Sequence, residues 1–115
     1  MNYYFKDLYH ACTARQVEWD PEQKITVEFL GCELAGEVGE ACNIIKKLAR
    51  SRMNLPGSVA KVGDLEKELA DIVITVNNIA ARYGIDMNQA VRDKFNATSS
   101  ERGFKTFLHK DYLGA

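Results

Sequence analysis

With 115 residues, 46% of them hydrophobic and 27% charged, and only two prolines, the chain has the composition of one folded domain and not of a disordered tail. A formal net charge of -1 gives no field that would draw in a nucleic acid polymer or an anionic membrane, so any anionic ligand must be met locally. No segment approaches the ~18 uninterrupted apolar residues of a membrane span, and the N-terminus lacks a basic region followed by an apolar run, so a cytoplasmic protein is expected.

Helical periodicity dominates, and glycine and proline divide it into four segments. The first helix is expected from about Tyr3 to Val17. Asp20 is placed to cap a second helix that Pro21 opens and that runs to about Ala49, with Leu30, Leu34, Ala41, Ile45 and Leu48 as its core stripe. Residues Arg50 to Gly63 hold a proline-glycine turn and scattered positive charge and read as a loop. The third helix, about Asp64 to Tyr83, puts Leu65, Leu69, Ile72, Val76, Ile79 and Tyr83 on its core face, and Gly84 is placed to end it. Val73 and Ile74 lie off that stripe, which points to cover by a partner subunit. A fourth helix spans about Asp86 to Thr98, and the aromatic residues of the tail follow no clear period. The expected fold class is all-α: residues 1–115 as one domain, an antiparallel four-helix bundle completed by oligomerisation.

Cys12, Cys32 and Cys42 are odd in number, and the latter two lie on one helix about 15 Å apart at 1.5 Å per residue, too far to bridge. Without a C-x-x-C pair or histidines at ligand spacing, neither zinc nor a disulfide framework is supported, and the cysteines are expected to pack as small hydrophobes.

The chemistry lies in the acids. Glu33, Glu37 and Glu40 are offset by four and three residues on the second helix, and Glu68 and Asp71 by three on the third, so each set shares a face. Both strips flank the apolar stripes, so helices that pack through those stripes bring the acids to one groove. Solvated surface acids are the commoner reading of such residues, but only Asp71 has a lysine in helical reach, Lys67, and in the less favourable order. Like charges at these spacings require something positive. Clustered carboxylates without histidine or thiolate favour magnesium, with manganese as a substitute, over zinc, copper or a ferritin-like di-iron centre. Magnesium shares its shell with substrate phosphates, so metal-assisted hydrolysis of a phosphorylated ligand follows.

Glu37-x-x-Glu40, followed after a loop by Glu68-x-x-Asp71 within E-L-A-D-I, resembles the all-α, MazG-like nucleoside triphosphate pyrophosphohydrolases. The resemblance covers about residues 15 to 105, including an upstream tryptophan and a downstream K-F-N followed by R-G-F. It implies that Glu37, Glu40, Glu68 and Asp71 bind magnesium, and it gives Glu33 one of two roles, ligating an ion or orienting the attacking water. It further implies cleavage between the α and β phosphates to a monophosphate and pyrophosphate by a homodimer or tetramer, a chemistry that serves nucleotide-pool sanitation, pool control and the reshaping of a host's pool during infection alike. Lys94, Asn96 and Arg102 match the segment that the family places near the triphosphate, although Lys94 also suits a helix C-terminus. Trp19 is a candidate to stack on the base, against the usual role of a lone tryptophan in a core. Asn78, seven residues beyond Asp71, is a candidate to reach base, sugar or phosphate.

Three other readings compete. A phosphoribosyl-ATP pyrophosphohydrolase has related helices and acids, but the K-F-N tail fits the MazG-like branch better. A non-catalytic module that holds metal and nucleotide is disfavoured by the presence of all four hallmark acids, and a purely structural helical oligomer by their lack of compensation.

Overall fold

Each helix is set by its ends. In the computed structural model, which describes residues 5–109, α1 is Phe5–Trp19, α2 is Val27–Arg52, α3 is Val62–Tyr83 and α4 is Met87–Arg102. No strand occurs among the described residues, and the expected all-α class of four helices holds.

The start expected for α1 at Tyr3 lies outside the described residues, and its end runs two residues past Val17. The expected start of α2 is corrected. Asp20 and Pro21 occupy the first two positions of a turn, which suits both residue types, and the turn closes with the Gln23 amide on the Asp20 carbonyl at 3.0 Å. Gln23 then has φ 56°, which no helix accepts. Thr26 caps α2 instead: its backbone is extended and its hydroxyl accepts from the Phe29 amide at 3.1 Å. In α3, which begins two residues earlier than Asp64, the Asp64 carboxylate accepts from the Lys61 amide at 2.9 Å, the returning half of a capping box. Asp86 caps α4 by accepting from the amides of Asn88 and Gln89.

Helices α2, α3 and α4 end alike. Asn54, Gly84 and Gly103 take φ of 57°, 64° and 69°. The next amides, of Leu55, Ile85 and Phe104, reach back to the carbonyls of Arg50, Ala80 and Ser99 at 3.0, 3.0 and 2.8 Å. These are Schellman motifs, which satisfy carbonyls that a bare helix end leaves open. The motif at Gly103 carries α4 four residues past Thr98, and the one at Asn54 carries α2 three past Ala49.

The chain forms two compact units. Unit 2, Lys24–Val76, holds α2 and most of α3. Its fully buried apolar anchors are Leu30 and Ala41, with Leu34, Leu48, Leu65, Ile72 and Val76 half-buried as the stripes predict. Three stripe residues are corrected: Ile45, Leu69 and Tyr83 are 49%, 49% and 65% exposed. A four-residue step overshoots a helical turn by about 40°, so Ile45 drifts off the face centred on Leu30 and Ala41, and Leu69 drifts likewise from Leu65. Tyr83 is the last residue of its helix.

Unit 1, Met1–Gln23 with Asn77–Ala115, packs α1 on α4 and includes the last turns of α3. Its interior is small and partly polar: Cys12, Asn77, Asn78, Ala80 and Ser99 are buried. Gln16 ties α1 to α3, donating to the Asn78 carbonyl at 3.3 Å and accepting from Arg82 Nε at 2.8 Å. Cys12 packs as expected, and burial pushes its thiol up, against a smaller opposing effect of Arg15. Cys32 and Cys42 are corrected: both are exposed, because both stand off the buried face of α2. Among the described residues no helix is long and apolar enough to cross a membrane.

Candidate metal centre

The centre lies within unit 2. Three-residue spacing on α2 puts Glu37 and Glu40 on one side of the helix, and α3 presents Glu68 to them. One carboxylate oxygen from each of the three falls within 4.8 Å of the other two. The acidic strips of two helices thus meet through three of their five members. Glu33, one turn before Glu37, is half-buried, and Asp71, one turn after Glu68, is exposed; neither belongs to the three-carboxylate cluster.

Glu68 bears most of the strain. Its Oε2 is sealed from solvent and receives no hydrogen bond. Burial raises its carboxyl from an ordinary 4.5 to about 7, reinforced first by Glu40 and then by Glu37, each through a shared proton and through its charge. Three carboxylates are held together, and one oxygen of Glu68 is shut off from water. The donor set is all oxygen, without imidazole or thiolate, which suits magnesium or manganese and not zinc or copper. A buried oxygen with no donor facing it is what a hard cation would satisfy, so the residues fit the metal.

The MazG nucleotide pyrophosphohydrolase domain matches residues 25–100, about two thirds of the chain and all three clustered acids. The chain belongs to this family. No curated protein and no solved structure matches it. Nucleotide pyrophosphohydrolase chemistry on a divalent metal is therefore the general activity of this MazG domain.

The remaining expected site residues lie in unit 1. Trp19, at the end of α1, is 48% exposed and is not a core residue. Lys94 is exposed and is the single charge lining an otherwise apolar groove of about 640 Å³, beside Met87, Val91, Phe95 and Phe104. Arg102 is exposed in the last turn of α4. Two residues have structural work. Asn96 donates Nδ2 to the Leu108 carbonyl at 2.8 Å and accepts the Leu108 amide at 2.7 Å, which fixes the segment after α4. Asn78 is 9% exposed, and its carbonyl takes the Gln16 amide. Sequence reasoning passed over the polar groove of about 350 Å³ that Gln16 and Arg82 line with Thr13 and Asp20, because its residues come from α1, α3 and a turn with no shared spacing.

Proposed function

We propose that the chain is a magnesium-dependent nucleoside triphosphate pyrophosphohydrolase that cleaves between the α and β phosphates in nucleotide-pool sanitation or control. The observation that carries this reading is the convergence of Glu37, Glu40 and Glu68 around a buried, unmatched oxygen. Asp71 supplies a further ligand from the turn after Glu68, and Glu33 orients water from the turn before Glu37, each on the strip of its neighbour. Magnesium, when bound, neutralises phosphate charge and acidifies a coordinated water. The chain's own acids hold that centre and, when ionised, accept the proton that the attacking water loses. Trp19, half-exposed, is available to stack on a base, and Lys94 and Arg102 are exposed cations available to phosphate. We read residues 1–115 as one functional domain, since α3 runs unbroken from Val62 to Tyr83.

A dimer or tetramer is also proposed. Phe29, Val38, Ile45, Leu69 and Val73 are between 40% and 54% exposed on α2 and α3, apolar helix surface that a partner subunit would cover. Light scattering should return at least twice the 12.9 kDa of one chain; a monomer at micromolar concentration would defeat this part of the reading.

The activity is tested with a panel of canonical and modified nucleoside triphosphates, each with magnesium and with chelator. Monophosphate and pyrophosphate should appear only with the metal. Phosphoribosyl-ATP as the one substrate turned over, or tight nucleotide binding without turnover, would replace the reading with one of its rivals.

A further inference from the structure

Two neighbouring lysines near the end of α2 face different ways. At 100° per residue, Lys47 comes to within about 20° of Glu40, on the strip of Glu33 and Glu37, whereas Lys46 stands about 120° from it. Burial agrees with this geometry: Lys47 is half-buried and Lys46 is exposed. Among the described residues Lys47 makes no ion pair or hydrogen bond. The other half-buried cation of these turns, Arg50, is engaged, donating Nη1 to the Ser58 carbonyl at 3.3 Å.

Lysine buries its stem and keeps its ammonium in water, so the half-buried Lys47 presents a charge beside the carboxylate strip that an anion from solution can reach. Glu40 does not engage it, since its carboxylate turns toward Glu37 and Glu68. Seven residues separate Lys47 from Glu40, a rise of about 10.5 Å at 1.5 Å per residue. Side chains on a helix lean toward its N-terminus, so the long lysine stem covers much of that rise in the direction of the carboxylates. A phosphate chain is anionic and must approach a strongly acidic centre, where positive charge besides the metal lowers the cost.

We propose that Lys47 binds the phosphate chain of the nucleotide at the C-terminal end of the carboxylate strip. The assignment rests on the pyrophosphohydrolase reading and names the side chain that meets the polyphosphate.

The test uses the full chain and inorganic pyrophosphate with magnesium, read by calorimetry, and manganese binding without pyrophosphate, read by electron paramagnetic resonance. Lys47→Ala should weaken pyrophosphate binding roughly tenfold or more, the scale of a charged hydrogen bond, and leave manganese binding at the wild-type level. Lys47→Arg should retain most of the affinity, and Lys46→Ala all of it. Equal pyrophosphate affinity in Lys47→Ala and wild type would overturn the assignment and leave the functional reading standing. Loss of manganese binding in Lys47→Ala would also overturn it, by showing a structural role. Failure of the wild-type chain to bind either ligand would remove the functional reading and the assignment together.

Discussion

Glu68→Gln is expected to abolish metal-dependent hydrolysis and, in the same protein, to raise the melting temperature of the metal-free form. The two effects share one cause. Glu68 is the member of the cluster whose charge is least tolerated, with one oxygen buried and unmatched and with Glu40 and Glu37 close by. An amide of nearly the same shape removes that charge, so the empty centre relaxes. The same change removes a ligand that a hard cation needs. Metal assistance contributes several kcal/mol to phosphoryl transfer, and each 1.36 kcal/mol is tenfold in rate, so turnover should fall by about a thousandfold or more. Helical content by circular dichroism should not change. A variant that melts below wild type without metal would show that Glu68 supports packing, and one that keeps its rate would remove the centre from catalysis.

The contrast with Asp71 sharpens this prediction. Both acids lie in the E-x-x-D pair of α3, but only Glu68 belongs to the three-carboxylate cluster, and Asp71 is exposed. Asp71→Asn should therefore leave the stability of the metal-free protein unchanged, and on the proposed ligand role it should still lose turnover. Stability and activity then separate along the motif.

The meeting of the two acidic strips was legible in the sequence for a physical reason. Carboxylates at three- and four-residue spacing must share a helix face, and apolar stripes beside them decide which faces meet. Like charge without a partner then marks the place where a cation belongs. Spacing could not reveal which oxygen would be buried, because that depends on how far α3 presents Glu68 toward α2. The caps show the opposite case. Asp20-Pro21 satisfies the rules for opening a helix and equally those for a turn, and Thr26 decided between them by offering a better-placed hydroxyl to Phe29. The K-F-N segment makes Asn96 a candidate ligand group, and the structure adds a hydrogen-bonded role that the segment does not announce. Its partner, Leu108, lies twelve residues on in a stretch without period, where no pattern announces a hydrogen bond.

The pH dependence of the metal-free protein should expose Glu68 directly. Its carboxyl lies near 7 in the folded chain against an ordinary 4.5, so between those values the folded state holds a proton that the unfolded state has released. Stability changes with pH in proportion to protons bound unfolded minus protons bound folded, a negative difference here. The melting temperature in chelator should therefore fall as pH rises from about 4.5 to about 7 and level off above. Other groups add their own slopes, so the informative quantity is wild type minus Glu68→Gln, in which those slopes cancel. Metal reverses the sign of the argument: a cation requires the ionised carboxylate, so binding near pH 6 should release close to one proton, and magnesium affinity should weaken as pH falls below 7. Calorimetry in buffers of different ionisation enthalpy counts that proton. Parallel melting curves for wild type and variant, together with proton-free metal binding, would mean that Glu68 is already ionised in the folded chain and that the charge conflict at the centre is not there.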